Sequence, residues 1–513
     1  MAWEKELAEK VKREALAEEM GGADKLARQH SRGKMDVRQR LNAMADKGTF
    51  REIGKIAGKA SYDADGEIED FTPANFLFGK AKVAGRHIVL AADDFTVRGG
   101  AADAAIWRKS MLAEQMAHEW KMPIIRLIDG TGGGGSVKML EDMGLTYVPY
   151  LPGWEHVVKN LETVPVVSLA LGSVAGLGAA RVVASHYSVM VKGISHMFTA
   201  GPAVVSAIGE NHDKETYDKE ALGGADLHAK TGAVDDIADS ESDAFEMARK
   251  FLSYLPNFVG NIAERGPVKD KIERRDKSLT DAVPEDRMAA YSMRKILISV
   301  FDKKSVFEMG RRWGQSAITA FARLDGWPVA VLASDPSFMG GSWSADASRK
   351  IERFVKLANT FGLPIVHLVD NPGFMIGLEA EKAATIRHGV DALNGIYSSK
   401  VPWATVIIRK AYGVAGAAMS DHTKFQYRFA WPSGDWGSLP LEGGIEVAYK
   451  AELEAADDPE AHLAAIRERL DKVRSPFRTA EAFLVEDIID PRDTRPLLCE
   501  FAELAYARLE SER

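Results

Sequence analysis

Six turn and strand-end residues recur along this chain at one constant spacing. Gly85, Asp94, Gly99, Gly100, Pro123 and Asp129 are matched, 241 positions on in every case, by Gly326, Asp335, Gly340, Gly341, Pro364 and Asp370. With a small shift the repeat continues. Val164-Pro165 heads VVSLALGSVAGLGAA, and Val401-Pro402 heads WATVIIRKAYGVAGAA. A period this long means duplicated domains and not the short units of a solenoid. The chain has 513 residues, more than the roughly 250–300 over which one core grows. Two copies of one domain are therefore expected, over 1–275 and 276–513.

Within each copy, short Val/Ile/Leu runs alternate with helical segments. IVLAADD, IWRKSMLAEQMAHEW and PIIRLID follow one another in the first copy. Near-continuous apolar runs suit buried parallel strands, and the helical segments serve as crossovers. The class is α/β. Between the copies, residues 256–302 are rich in charge (KDKIERRDK) and read as a solvated connector with some helix. From about Lys450 the chain reads as a charged helix and a tail that packs on the second copy or on a neighbouring subunit.

Composition excludes some functions. The net charge is −8, and the pI is about 5.9, against the basic surface of a general nucleic-acid binder. A local basic pocket for a phosphorylated ligand stays open. The lone cysteine, Cys499, precludes an intramolecular disulfide and fits a reducing compartment. The N-terminus is densely charged, unlike a signal peptide, and no apolar run approaches the roughly 20 residues that span a bilayer. The expected address is cytoplasmic, with no membrane partner.

The usual catalytic templates are missing: no GxSxG, HExxH or GxxxxGK[ST] occurs, and the histidines lack metal-ligand spacing. No metal is expected. His388, beside Arg387, reads as structural or as a rim residue. Glycine turns in matched pairs stand out instead, at Val174 to Gly178 and at Ala411 to Gly416. Each follows an apolar strand and opens a helix, where unpaired N–H groups and the helix dipole favour an oxyanion. Close helix–strand packing would also select small residues here. Each turn has a second Gly-rich turn near it, Thr131 to Gly135 (including Gly132 and Gly133) and Pro372-Gly373. A pair of oxyanion sites suits carboxyl transfer to a thioester, in which both partners develop a negative oxygen.

These residues, in this order, resemble the carboxyltransferase (β) subunits of propionyl-CoA-, acetyl-CoA- and methylcrotonyl-CoA-type carboxylases. The likeness is carried by QHSRGKMDVRQRL, DDFTVRGG, MFTAGPAVV, ALGGADLH, AFARLDG, VDNPGFMIG, IRHG, RKAYG and VEDIIDPRDTR. It implies two tandem crotonase-like (ClpP/crotonase) domains. In catalysis it implies that Gly176, Leu177 and Gly178 hold the acyl thioester oxygen, and Gly413, Val414 and Ala415 the ureido oxygen of biotin. Gly99, Gly100, Gly132, Gly133, Gly373, Phe374 and Glu379 would bind substrate, with Met375 to Gly377 shaping the acyl pocket. It further implies coenzyme A in the substrate, biotin carried by a separate biotin carboxylase/carrier subunit, and a hexamer built as a dimer of trimers. The active site would lie at a dimer interface, and the acyl group would be short and propionyl-like.

Three departures from that pattern stand out. Leu177 and Val414 take the place of family glycines, Asp129 to Gly134 lacks an arginine, and Ser334-Asp335-Pro336 stands where the family has N-Q-P. Three alternatives remain: the carboxyltransferase of a biotin-dependent decarboxylase, a biotin-free crotonase-type hydratase or isomerase, and a non-catalytic assembly subunit.

Overall fold

A computed structural model describes residues 2–101, 106–130, 140–141, 143–208, 218–268 and 270–512. The chain forms two compact units, Met1–Val259 and Gly260–Arg513.

The first unit holds β1 (Arg51–Glu52), β2 (Gly58–Tyr62), β3 (Ile68–Pro73), β4 (Phe76–Val83), β5 (Arg86–Asp93), β6 (Ile124–Ile128), β7 (Val166–Ala170), β8 (Ser173–Ala175), β9 (Tyr187–Val191), β10 (His196–Phe198) and β11 (Asp236–Ala238). Its main sheet runs β1-β4-β5-β6-β7-β9-β11, and β2-β3 and β8-β10 form small pairs. β4 and β5 are an antiparallel hairpin, and from β5 onward neighbours are parallel. The helices Trp107–Glu119 and Trp154–Thr163 lie on the connections into β6 and β7. Strands covered on both faces must be apolar throughout, and β6, β7 and β9 are buried at every position. Arg126 in β6 is tolerated because its guanidinium meets both oxygens of Glu114 at 2.8 Å.

The second unit repeats this plan. Its strands are β12 (Phe307–Met309), β13 (Ala317–Leu324), β14 (Trp327–Ser334), β15 (Ile365–Asn371), β16 (Trp403–Tyr412), β17 (Tyr427–Ala430) and β18 (Asp435–Gly437). The order is β12-β13-β14-β15-β16-β17, with β18 also on β16. The β13–β14 hairpin is antiparallel, and β14, β15, β16 and β17 are parallel.

The duplication reaches the backbone angles. Ala84 and Gly85 close the first hairpin at φ 50° and 80°, and Asp325 and Gly326 close the second at 48° and 80°. Two successive left-handed residues suit the right-handed twist of a hairpin. Arg98, Gly99 and Gly100 are likewise left-handed, as are Met339, Gly340 and Gly341. Both third glycines are pressed against backbone. A Cβ on Gly100 would lie 2.7 Å from the Asp129 carbonyl oxygen, and one on Gly341 would lie 2.3 Å from that of Asp370.

The segment expected to be a solvated connector with some helix is exposed over much of its length, and its closing helix joins the core. Residues 260–302 belong to the second unit. Its helix Met293–Val300 buries Met293, Ile296, Leu297 and Val300, a spacing that gives one apolar face. The C-terminal tail packs on the second unit as expected. Leu498, Phe501, Ala502 and Ala505, on the helix Thr494–Ser511, join its main core.

One core residue makes the second unit sensitive to acid. His367 in β15 is buried, and its Nδ1–H donates to the Met419 carbonyl at 3.0 Å. Burial, only partly opposed by that bond, lowers its pKa from 6.5 to about 4. The folded state thus favours neutral imidazole. Nothing is lost above pH 6.5, and stability falls as pH drops from there towards about 4. The loss should reach about 2 kcal/mol at about pH 5. Urea unfolding at about pH 7.5 and pH 5 checks this, since His367→Gln should remove most of that share of the difference.

Candidate functional site

In each unit one turn follows the carboxyl end of a parallel strand, where open α/β sheets place their ligands. In the first unit the chain leaves β7, passes Gly172 and β8, and enters the helix Leu177–Val183 through Gly176 at φ 54°. The Gly176 N–H is used, donating to the Phe198 carbonyl at 3.2 Å. Those of Leu177 and Gly178 begin the helix and donate to no acceptor among the described residues.

Close approach explains the small residues. A Cβ on Gly178 would stand 2.4 Å from the Gly130 carbonyl oxygen, and one on Gly100 would stand 2.8 Å from the Gly130 Cα. Gly100 and the turn thus share one neighbour, and Gly99 continues the same loop. Leu177 does not close over the turn. Its side chain helps line a small cavity of about 40 Å³ with Trp107, Met111, Trp154 and Arg181. Gly132 and Gly133 lie outside the described residues.

Beneath this turn is a buried ionic cluster. Arg40 Nη1 donates to Asp129 Oδ2 at 2.7 Å, and its Nε and Nη2 reach Glu241 Oε1 at 2.9 and 2.5 Å. Lys34 Nζ stands 2.6 Å from Asp129 Oδ2. Burial, helped by the neighbouring Arg40 charge, lowers the Lys34 pKa, with Asp129 opposing. Gly172 leaves room for this carboxylate, since a Cβ there would be 1.8 Å from Asp129 Oδ1. The matched strand-end aspartates are therefore held in ion pairs. Asp370 meets Arg409 at 3.0 Å and accepts from the Tyr291 hydroxyl at 2.9 Å.

Sequence reasoning missed another group beside the first turn. Ser173 Oγ lies 3.3 Å from His196 Nδ1, and His196 Nε2 lies 3.2 Å from Glu220. Burial lowers the His196 pKa, with Glu220 opposing. Only the pairing of β8 with β10 brings Ser173 and His196 together, and no linear spacing announces it.

In the second unit β16 runs directly into the helix Gly413–Ala417, with Gly413 at φ 60°. Gly416 must be small, because a Cβ would be 2.6 Å from the Ala411 carbonyl carbon. Val414 points largely into solvent and Ala415 is buried. A cavity of about 410 Å³ lies beside the turn, with Gly413, Gly416, Ala417 and Gly437 among its walls and Val414 not among them.

The loop expected to bind substrate is only partly gathered here. Gly373, at φ 122°, sits with its α-carbon facing the Tyr412 carbonyl, 3.8 Å from an added Cβ. Phe374 is a packing wedge. A Cβ on Gly389 would fall 2.3 Å from its ring, which also meets Trp343 edge-on. Glu379 is solvent-exposed and paired with Lys382 at 2.8 Å. It is not a wall of the cavity.

The entry to this turn is anchored by Asp435. Arg474 Nη2 donates to it at 2.7 Å, and Arg287 pairs with it at 2.8 Å. Burial would raise the Asp435 pKa, but Arg474, Tyr412 and Arg287 hold it below the usual carboxylate value. Among the described residues no group of three His, Cys, Asp or Glu side chains is placed to hold a metal ion. No helix there is long and apolar enough to cross a membrane.

Comparison with known proteins agrees with this architecture. The family model "Carboxyl transferase domain" matches residues 28–513. A propionyl-CoA carboxylase carboxyltransferase subunit from Haloferax mediterranei is 33% identical over 96% of this chain and 94% of its own. A methylmalonyl-CoA decarboxylase α subunit from Veillonella parvula is 29% identical over 96% and 93%. Among solved structures, a transcarboxylase 12S hexamer with methylmalonyl-CoA and methylmalonic acid bound is similar at a TM-score of 0.86 and 29% identity, covering 98% of this chain and 95% of its own. The chain therefore belongs to the carboxyl transferase family, as a carboxyltransferase of the propionyl-CoA carboxylase and methylmalonyl-CoA transcarboxylase type.

Proposed function

We propose that this chain moves a carboxyl group between biotin carried on a separate subunit and a short acyl-CoA, with propionyl-CoA the first candidate acceptor. The observation that carries this reading is the pair of small-residue turns at equivalent strand ends of duplicated units. In the first unit the N–H groups of Leu177 and Gly178 would hold the thioester oxygen as it gains enolate charge. In the second, the turn at Gly413, Val414 and Ala415 would face biotin. The adjoining cavity of about 410 Å³, with Gly413, Gly416, Ala417 and Gly437 on one side and Met419, Trp436 and Leu484 among its other walls, has the room for a compact ureido ring. Carried biotin supplies the carboxyl group and an oxygen that becomes negative when that group leaves.

This chain's part is positioning and charge stabilisation. Donors set in advance towards a developing oxyanion are each worth roughly 10²–10³ in rate. Assembly as a hexamer, as in the transcarboxylase relative, would bring the first-unit turn of one subunit to the second-unit turn of its neighbour. Net carboxylation is preferred over decarboxylation as the direction.

One observation favours a second reading, thioester chemistry without biotin. Ser173 on β8, His196 on β10 and Glu220 on the helix Lys219–Gly223 form a hydroxyl–imidazole–carboxylate line beside the first turn. A single panel separates the two. The purified protein is given malonyl-CoA, methylmalonyl-CoA and 3-methylglutaconyl-CoA, each with and without biocytin. Loss of the free carboxyl only with biocytin supports carboxyl transfer. Release of free CoA without biocytin, abolished by Ser173→Ala, supports the second reading instead.

A further inference from the structure

The helix that follows the first turn is tied to the ends of two strands by two separate contacts. One is the close approach of Gly178 to the Gly130 carbonyl oxygen. The other runs through charge. Arg181, the only charged residue of the helix Leu177–Val183, lies one turn beyond Leu177. Its Nη1 donates to Asp93 Oδ1 at 3.0 Å. Asp93 ends β5, and its Oδ2 accepts the Asp129 N–H at 3.2 Å, just past the end of β6. Asp129 precedes Gly130, so the two contacts close a ring from the helix through both strand ends and back.

The pair is held in place on every side. The Arg181 guanidinium lies over the Phe76 ring, 5.3 Å from its centroid. The Arg181 carbonyl accepts from Ser168 Oγ at 3.0 Å and from Arg126 Nη1 at 3.2 Å. Asp93 is buried and only 17% of the Arg181 side chain is exposed, so water and salt screen the pair little. Burial would lower the Arg181 pKa, but Asp93 and Glu114 hold it above its ordinary value.

The duplication supplies an internal comparison. In the second unit Ser334 matches Asp93, and its Oγ accepts the Asp370 N–H at 3.2 Å. The strand-end bond is thus kept with a neutral acceptor. At the shift that matches Val164-Pro165 to Val401-Pro402, Arg181 falls on Ala418, which is buried and uncharged. The ion pair is therefore not a requirement of the fold. It belongs to one turn only, the one read above as facing the acyl thioester.

We propose that Arg181 and Asp93 are positioning residues, an ion pair that sets the Leu177 and Gly178 N–H groups against the thioester oxygen. This rests on the acyl-thioester reading of the first turn, and it assigns to that turn two residues that touch no substrate. The helix has seven residues. One this short has few backbone bonds of its own, and its angle is set by what it leans on. Loss of the pair removes its one charged hold on β5 and lets its first turn pivot. Donors displaced by a fraction of an ångström then meet a developing oxyanion poorly.

The test uses the full-length double variant Asp93→Ser, Arg181→Met. Serine keeps an acceptor for the Asp129 N–H, as in the second unit, methionine keeps much of the volume, and the net charge is unchanged. Removing both partners of a buried pair is tolerated far better than removing one, so the variant should fold, which thermal unfolding checks. Should it not fold, Asp93→Asn, which keeps the shape and one acceptor oxygen, carries the same test. The first readout is the infrared stretch of propionyl-CoA, isotope-labelled at the thioester carbonyl, when bound to each protein. Hydrogen bonds donated to a carbonyl lower that frequency. Wild type should lower it relative to the free ligand, and the variant should lose at least half of the shift while still binding. The second readout is biocytin-dependent loss of the carboxyl from methylmalonyl-CoA. There kcat should fall about tenfold or more, with KM within about threefold of wild type. Equal shifts in the two proteins, no shift in wild type, or an unchanged kcat would each overturn the proposal. The frequency is read without turnover. A shift lost in the variant, from a wild-type protein that transfers no carboxyl to biocytin, would refute the carboxyl-transfer reading and leave the positioning assignment standing.

Discussion

Arg40→Met should cost about 3–5 kcal/mol of folding stability, the size expected when one partner of a buried ion cluster is removed and the others stay charged. Arg40 is almost wholly buried and joins Asp129, Glu241 and the Leu171 carbonyl. Without it, the two carboxylates keep, among the described residues, Lys34, Gln29 and the Met35 N–H as partners. Urea unfolding of the variant checks this, and a loss below about 1 kcal/mol would show that the cluster is dispensable. Replacing Glu241 by Met in the same protein should restore part of the loss, because fewer unpaired charges then remain buried. Catalysis should suffer too, since Asp129 ends at Gly130, the residue on which Gly178 rests.

Gly178→Ala should lower the rate of carboxyl transfer by about 10²-fold or more. The added methyl would stand 2.4 Å from a backbone carbonyl, which has no rotamer by which to yield. The first turn of the helix must move, and with it the N–H groups of Leu177 and Gly178. Steady-state kinetics alongside thermal unfolding distinguishes two outcomes. A fall in kcat at nearly unchanged coenzyme A affinity is expected of an oxyanion site. A destabilised protein with full activity per folded molecule would mean that the glycine serves packing alone.

The duplication was open to sequence reading because turns needing left-handed backbone take few residue types. Gly85 and Gly326, or Gly99 and Gly340, mark the same bends in both units. The matched lysines Lys109 and Lys350 were less visible. Both are buried, with Lys109 Nζ bonding the Gly54 carbonyl and Lys350 Nζ those of Trp313 and Ala317. In the linear sequence a lysine on a helix reads as solvated. The turns at Gly178 and Gly413 were legible as strand–glycine–helix punctuation, but their surroundings were not. Arg40 and Glu241 are 201 positions apart and meet only through the folded unit. Arg474 reaches Asp435 across 39 positions, with nothing periodic to connect them. The helix Met293–Val300 was hidden by the charged residues before it, although its own apolar spacing is plain.

Carboxyl transfer itself is tested most directly by one time course with carboxyl-labelled methylmalonyl-CoA, followed with and without biocytin. Label should leave the thioester only when biocytin is present, at a rate that saturates with it, and Gly178→Ala should slow that release by about 10²-fold. Release independent of biocytin, or no release from a protein that binds the thioester, would contradict carboxyl transfer between the two turns.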